Sequence, residues 1–182
     1  MNTTSCHRTG RRAFATTFST ALLCGLVLVL PLAAAAGPLA AGSAMPTLHL
    51  NDQHDQPALA STSTRWVVFT AEKPVSDMVN AVLSAEPSGV TDRLQVLYVA
   101  DISRMPALIT RMFALPKLRE LAFPIALVRD TTQAAQVADI PRVAGGATLL
   151  RLDAGRVAQV ATARDGAELR TLLGLAAKPA TP

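Results

Sequence analysis

The feature that most constrains this 182-residue chain is an alternation of short apolar runs with segments whose apolar residues recur at helical spacing. The apolar runs cover residues 66–71, 94–100 and 123–128, and each is long enough for a buried strand but too short for a buried helix. The segment after the first run has its apolar residues on one helical face: Val75, Met78, Val79 and Val82. Alternation of strands and helices predicts an α/β fold with parallel core strands covered by helices.

The remaining segments extend the same pattern. Residues 103–116 predict a helix that Ser103 caps and Pro116 ends. Its expected core face consists of Met105, Leu108, Ile109 and Met112, and Phe113 is also read as a core residue. Residues 47–50 predict a short strand, and residues 132–138 predict a short helix.

The last part of the chain predicts a hairpin followed by a helix. Residues 148–152 and 157–161 are apolar and flank Asp153 and Gly155, which is a hairpin signal. Asp165 and Glu168 form a capping box at the start of the final helix. The core face of that helix is Leu169, Leu172 and Leu173. The hairpin adds antiparallel strands to the predicted sheet, which is therefore mixed.

The first 36 residues predict a secretory signal peptide. A basic stretch precedes an uncharged apolar run at 15–36, which ends in four alanines. The pair Arg11 and Arg12 also resembles a twin-arginine signal, and a retained membrane anchor is the alternative to cleavage after Ala36. We therefore expect a signal peptide at 1–36, a flexible leader at 37–45, one domain at 46–176 and a disordered tail at 177–182.

Cleavage of this segment changes the chemistry of the chain. It removes three of the 17 lysines and arginines and none of the 13 acidic residues, so the formal net charge falls from +4 to +1. Cys6 and Cys24, which are the two cysteines of the sequence, leave with the segment. The mature protein is expected to be cysteine-free and nearly neutral.

Four stretches, in their order and spacing, resemble the thioredoxin-like superfamily in its peroxiredoxin-like form. They are AMPTLHLNDQHDQP, RWVVFTAEKPVSDM, FPIALVRDTTQAAQVADI and ATLLRLDAGRVAQV. The second resembles the strand, loop and helix that carry the active site, and the last resembles the closing hairpin. The resemblance implies a three-layer sandwich with a mixed sheet and a C-terminal hairpin.

The chain departs from that family where thiol chemistry is carried out. Redox-active members have one or two cysteines after the first core strand, whereas this loop begins with Glu72 and Lys73. The cis-proline that usually precedes the hairpin corresponds to Gly146, and Pro141 lies too far upstream to replace it. Disulfide exchange and peroxide reduction require a thiolate. The resemblance therefore implies a redox-silent member.

Charged residues follow the ends of the predicted core strands, where open α/β sheets usually bind ligands. The candidate ligand or partner cluster is Glu72, Lys73, Asp101, Ser103, Arg104, Arg129, Asp130, Gly145 and Gly146. An arginine here could bind a carboxylate or phosphate, and a carboxylate could act as an acid or base. The alternative is that these residues cap helices and form solvated ion pairs.

Other functional classes find little support. His49 and His54, near Asp52 and Asp55, lack a third strong ligand at a recognisable spacing, so we predict no metal site. No phosphate-loop or dinucleotide motif occurs, so no cofactor is predicted, and nucleic-acid binding is not supported. Arg104, Arg111, Lys117 and Arg119 surround one predicted helix, which is either a partner surface or a solvated face.

The sequence as a whole predicts an exported, periplasmic binding or interaction module without thiol chemistry. Its expected partner is a periplasmic protein or a small anionic ligand. The alternatives are an enzyme that uses the strand-end cluster and a protein tethered to the inner membrane by a retained N-terminal segment.

Overall fold

Strands and helices alternate along residues 37–176, which are the residues that the computed structural model describes. The strands are β1 (Leu50–Asn51), β2 (Pro57–Ala58), β3 (Trp66–Thr70), β4 (Val96–Asp101), β5 (Ala126–Val128), β6 (Ala147–Asp153) and β7 (Arg156–Ala163). The helices are α1 (Lys73–Ser84), α2 (Val90–Leu94), α3 (Ala107–Ile109), a π-helical segment (Thr110–Ala114), α4 (Leu115–Arg119), α5 (Thr131–Gln136) and α6 (Gly166–Leu173). The predicted signal peptide at 1–36 and tail at 177–182 lie outside the described residues.

The strands form one mixed sheet in the order β2-β1-β5-β4-β3-β6-β7. β4 pairs in parallel with both β3 and β5, whereas β6 is antiparallel to β3 and to β7. The prediction of an α/β fold with parallel core strands and a C-terminal hairpin is confirmed. The hairpin loop has two residues, Ala154 and Gly155, both at positive φ, which is the backbone of a type I′ turn.

Side chains of the core strands alternate between the two faces of the sheet, so each face has its own apolar cluster. Val67 and Phe69 belong to one cluster, together with Val137 and Ile140, which follow α5, and Ala134 of α5 packs against it. Val68 belongs to the other cluster, which contains the buried residues of α1 and α6. Helices on both faces of the sheet make the three layers of the predicted sandwich.

The helices α1 and α6 bury most of the faces that their sequences predict. α1 has Pro74 in its first turn and buries Val75, Val79, Val82 and Leu83. Asp165 begins α6, and its Oδ1 accepts hydrogen bonds from the backbone N–H groups of Ala167 and Glu168 at 2.9 and 2.8 Å. These bonds satisfy donors that the first helical turn leaves without partners. The predicted capping box of α6 forms only in part, because Glu168 Oε2 accepts from the N–H of Arg164 rather than from that of Asp165.

Residues 37–45 were expected to form a flexible leader, but they pack along the domain. Leu39 is only 8% exposed, and its N–H donates to the carbonyl of Asp139 at 2.7 Å. Ala44 forms a bridge with Arg156 at the start of β7. Burial of Leu39 and these backbone hydrogen bonds hold a segment whose glycine and proline content suggested mobility.

Several predicted boundaries shift because short irregular segments interrupt the apolar runs. The first strand lies at Leu50–Asn51 rather than at 47–50, and β5 begins at Ala126 rather than at residue 123. Residues 90–94 form α2, which begins after Gly89 in the left-handed region at φ 77°. The second core strand therefore begins at Val96 instead of residue 94.

The prediction that Ser103 caps and Pro116 ends the helix after β4 was wrong. α3, the π-helical segment and α4 follow one another with right-handed helical backbone at their junctions, and we call them helix 107–119. Ser103 instead lies in the preceding turn. The backbone N–H of Leu115 bonds to the carbonyl of Thr110, five residues earlier, just before Pro116. This wider turn accommodates the proline, which has no N–H to donate.

Helix 107–119 also does not bury the face that its spacing predicted. The exposed fractions are 66% for Leu108, 42% for Ile109, 59% for Met112 and 58% for Phe113. Leu115 and Leu118, nearer its C-terminal end, make its contacts with the core. Helical spacing identifies an apolar stripe, but another surface has to cover that stripe before it becomes a core. Within residues 37–176, no helix is long and apolar enough to cross a membrane.

Candidate functional site

The carboxyl ends of β3, β4 and β5 meet at one edge of the sheet, as the strand order predicts. The candidate residues that follow these strands do not form one cluster. Glu72 contacts the loop before β6, Asp101 forms a separate group with Ser103, and Arg129 extends toward the β1–β2 turn. This edge of the sheet therefore carries three separate polar groups rather than one cluster.

Glu72 lies at the N-terminus of α1, immediately after the first core strand. Its backbone is extended, and its carboxylate makes no capping bond to the helix. Both carboxylate oxygens instead lie 3.3 Å from the backbone nitrogen of Gly145, which donates to them. Gly145 has φ of +68°, a conformation that glycine adopts without strain. The predicted approach of the glycine loop to this edge is confirmed.

Asp101 is held by three donors at the end of β4. Its side chain is 6% exposed and accepts from the Ser103 N–H at 3.1 Å, the Ser103 hydroxyl at 2.6 Å and Arg142 Nη2 at 3.0 Å. The Arg142 guanidinium lies 5.3 Å from the ring centroid of Phe69. With these three donors in place, the lone pairs of this buried carboxylate are directed at protein groups.

Arg129 and Asp130 face away from the strand-end loops, which corrects their predicted place in the cluster. Arg129 donates to the Asp55 carboxylate and to the carbonyl of Asp52 at 2.6 Å. The hydrogen bond and charge of Arg129 hold the pKa of Asp55 below its ordinary value of 3.8. Asp130 caps α5 by accepting the N–H of Gln133 at 2.8 Å. Arg129 therefore has its side-chain partners in the β1–β2 turn, and Asp130 has its partner in α5.

Lys73 and Arg104 differ in their partners. Lys73 pairs with Asp77 one turn along α1, and both side chains are exposed. Such an i, i+4 pair contributes only about 0.3–0.5 kcal/mol. Arg104 is exposed and forms no ion pair or hydrogen bond within residues 37–176. Among the candidate cations, it is the one available to an external anion.

Gly146 stands directly before β6, at the place where the resemblance puts the cis-proline. All peptide bonds among residues 37–176 are trans. A Cβ on Gly146 would lie 2.7 Å from Cγ2 of Thr162 on β7. Close packing against the neighbouring strand is thus one reason for glycine at this position.

A chain of hydroxyl groups is buried beneath α1, and no sequence motif indicated it. The Oγ1 of Thr70 lies 2.8 Å from the Ser76 hydroxyl and 3.4 Å from the Tyr98 hydroxyl. Burial raises the pKa of Tyr98 to about 12. The phenol is therefore neutral at physiological pH.

A cavity of about 470 Å³ opens beside these groups, between α1 and helix 107–119. Its residues come from α1, β4, helix 107–119 and the adjoining loops: Ala71, Glu72, Lys73, Ser76, Asp77, Asn80, Tyr98, Ala100, Asp101, Ile102, Arg104, Met105, Ala114, Lys117, Leu118 and Leu121. A mostly apolar cavity of this size with a few polar groups has the character of a small-molecule site. It contains four of the nine candidate residues, namely Glu72, Lys73, Asp101 and Arg104.

Two contributors to this edge were missed in the sequence. Arg142 comes from the loop after α5, 41 residues beyond Asp101, so local spacing could not connect the two. Pro141, one position before Arg142, was considered only as a possible replacement for the cis-proline. Tyr98 lies in β4, where successive side chains point to opposite faces of the sheet. Its position in that alternation was the signal that could have shown which face it lies on.

The arrangement of the sheet and its covering helices matches solved structures. The chain superposes with a TM-score of 0.50 on the thioredoxin domain of a thiol-disulfide oxidoreductase from Bacteroides vulgatus. The match covers 75% of this chain and 96% of that one, at 11% identity. The fold is thioredoxin-like. The fold that the resemblance implies is confirmed, and the family assignment stays a prediction.

Two further thioredoxin-like matches are weaker in superposition. A thio-disulfide isomerase from Thermus thermophilus is 24% identical, with a TM-score of 0.47 over 75% of this chain and 99% of that one. Peroxidoxin BcpB from Mycobacterium tuberculosis is 16% identical, with the same TM-score over 75% and 95%. No protein-family model and no curated protein matches the chain. The peroxiredoxin-like form stays a prediction.

Proposed function

We propose that this protein is an exported binding module that uses a thioredoxin-like fold without thiol chemistry. The observation that carries the proposal is the position of Glu72, which begins α1 directly after the first core strand. That is where the resemblance puts the reactive cysteine. Residues 37–182 contain no cysteine at all, because Cys6 and Cys24 are the only two in the sequence.

A carboxylate cannot perform the chemistry that a thiolate performs at this position. Disulfide exchange proceeds through a mixed disulfide, so the attacking atom has to be sulfur. The hydroxyl groups nearby offer no substitute, since the buried Tyr98 phenol is neutral and bonded to Thr70. The electrostatic attraction of a helix N-terminus for an anion is still present, and here Glu72 occupies it.

The cavity beside Glu72 supports a binding function over the alternative of an enzyme. The enzyme hypothesis requires Glu72, Asp101, Arg104 and Arg129 to line one pocket. Arg129 instead reaches Asp55 at the β1–β2 turn, and Asp101 is saturated by Ser103 and Arg142. A cavity with apolar walls and an unpaired arginine can retain a ligand without a reactive pair of groups.

Export to the periplasm belongs to the same proposal. It is supported by the basic, apolar and alanine-rich order of residues 1–36. Two cysteines in a segment that is cut away fit a mature protein whose function does not need them. Retention of this segment as a membrane tether is the competing outcome.

The test measures thiol activity in protein exported by the cell. Purified protein is assayed for dithiothreitol-driven insulin reduction and for peroxide consumption, beside a thioredoxin and a peroxiredoxin as positive controls. A Cys6→Ser/Cys24→Ser variant is the matched control, and both forms should stay at background. Activity that survives in the variant would refute the chemical argument, whereas activity lost in the variant would assign thiol chemistry to the N-terminal segment.

A further inference from the structure

We infer that the cavity between α1 and helix 107–119 is the binding site for an amphiphilic anion, an apolar molecule that carries one carboxylate. The inference rests on the proposed function, since it names the ligand class of the same module. Three properties of the cavity lead to it. They are its apolar walls, the cations that line it and its size.

The walls of the cavity are mostly apolar, and helix 107–119 forms part of them. None of the residues 107–119 is fully buried, in contrast to the four buried residues of α1. Ala114 and Leu118 face the cavity from this helix, and Ala100 and Ile102 line it from the end of β4. Transfer of apolar surface from water to such walls contributes about 25 cal/mol per Å².

The charges around the cavity favour an anion. Lys73 is neutralised by Asp77, and Asp101 by Arg142. Arg104 and Lys117 also line the cavity, and neither forms an ion pair within residues 37–176.

The one carboxylate lining the cavity without a cationic partner in the described residues is Glu72, which accepts from the Gly145 N–H. Two unpaired cations against one carboxylate give the cavity a net positive character.

The volume of the cavity limits the size of the ligand. About 470 Å³ accommodates an apolar body of roughly ten carbon atoms within the usual range for ligand cavities. Asn80 lines the cavity, and its Oδ1 is buried with no hydrogen-bond partner in the described part of the chain. An unsatisfied buried acceptor is destabilising, so a water that donates to it is favoured there, since the carboxylate of the ligand has no donor.

The outer face of the same helix provides a competing location for an amphiphile. Leu108 and Met112 are exposed on it, and Arg111 supplies a positive charge. None of these three residues lines the cavity. They therefore offer matched variants that separate binding inside the cavity from adsorption on the helix surface.

The experiment uses the protein as the cell exports it and three probes with the same ten-carbon chain. Decanoate, decanol and decyltrimethylammonium are titrated by calorimetry below their micelle concentrations, and the protein is first delipidated. Decanoate should bind with one site per chain, decanol at least about fivefold more weakly, and the cation without detectable heat. Failure of decanoate to bind, or equal binding of all three probes, would overturn the inference.

Variants then locate the site. Ala114→Trp fills the cavity and should abolish decanoate binding, while Leu108→Gln and Met112→Gln should leave it unchanged. Arg104→Gln and Lys117→Gln should each weaken it by about two- to fivefold, as expected for exposed ion pairs, with Arg111→Gln as the matched neutral control. Circular dichroism confirms that each variant is folded, and the two charge variants test the site even if Ala114→Trp does not fold.

Binding lost in the outer-face variants and kept in Ala114→Trp would overturn the inference in favour of surface adsorption. The outcome is separable from that of the proposed function, because insulin reduction is measured on the same preparation. If the protein shows no thiol activity and does not bind decanoate, the proposal of a thiol-free module is retained and the proposed ligand class is rejected. If the protein reduces insulin, the proposal of a thiol-free module is refuted, whether or not decanoate binds.

Discussion

A thiol introduced at Glu72 should have a lowered pKa, because this position lies at the N-terminus of the 12-residue helix α1. The matched site is Ser84, the last residue of the same helix, which is also exposed. Glu72→Cys and Ser84→Cys are made in a Cys6→Ser/Cys24→Ser background, so that each protein has a single cysteine. The two thiols then experience opposite ends of one helix dipole.

The size of the difference follows from the helix alone. Each helix end shifts the energy of a nearby charge by about 0.3–1 kcal/mol, so the two ends together differ by about 0.6–2 kcal/mol. At about 1.36 kcal/mol per pKa unit, the Glu72→Cys thiol should titrate about 0.4–1.5 units below the Ser84→Cys thiol. Gly145 adds nothing to this estimate, because a cysteine side chain is too short to reach its N–H.

The assay is the rate of iodoacetamide alkylation between pH 6 and 10, which gives the pKa of each thiol from the midpoint of the profile. Single-pH rates are less informative, because the intrinsic reactivity of a thiolate falls as its pKa falls. A Glu72→Cys pKa equal to or above that of Ser84→Cys would refute the placement of residue 72 at a functional helix N-terminus.

Three further predictions address the fold around the site. Gly146→Ala should lower the free energy of unfolding in urea by about 1–3 kcal/mol through overpacking against Thr162, and Thr162→Ser should restore most of that loss. Tyr98 is the only tyrosine of the sequence, so phenolate absorbance in a pH titration reports this residue alone. The midpoint of the titration should lie near pH 12, or at the pH of alkaline unfolding if the protein unfolds first. Its raised pKa implies stability that is present below pH 10 and lost as the pH rises toward 12; a midpoint near 10 in folded protein would contradict its burial. Asp55→Asn should destabilise the protein at neutral pH, and that difference should vanish in acid, since the lowered pKa of Asp55 stabilises the fold only above its titration range. A difference between wild type and Asp55→Asn that persists unchanged at pH 2 would exclude the ion pair with Arg129 as its cause.

The sheet could be predicted because its core strands are buried on both faces and read as continuous apolar runs. β3, β4 and the closing hairpin all follow from such runs and their turn residues. α2 could not be predicted, since five residues without an apolar period carry no helical signal. Its helix begins after a left-handed glycine that sequence reading identified only as a turn.

Helix 107–119 shows the limit of periodicity as evidence for burial. Leu108 and Met112 have the spacing of a core face, yet both are exposed. Spacing reports which residues share a face, and the neighbour that covers the face comes from elsewhere in the chain or from another molecule. The same helix carries the exposed stripe and lines the adjoining cavity.

The sequence predicts which residues lie at the candidate site, but only in part where their side chains extend. The rule that parallel strands present their carboxyl ends together correctly located Glu72, Asp101 and the glycine loop. It does not give the direction of a long side chain, which is why Arg129 was assigned to this edge although it extends toward Asp55. Arg142, which does reach the edge, is distant in sequence from the strands that it joins.

The most direct test of the thiol-free function is the thiol count of protein recovered from the cell envelope. The protein is denatured, reduced, alkylated with iodoacetamide and measured by intact mass, with its N-terminal residue determined in parallel. A mature chain that begins at or after Gly37 and takes up no alkyl group is the expected result. A chain that retains Cys6 or Cys24, together with insulin-reducing activity, would contradict it.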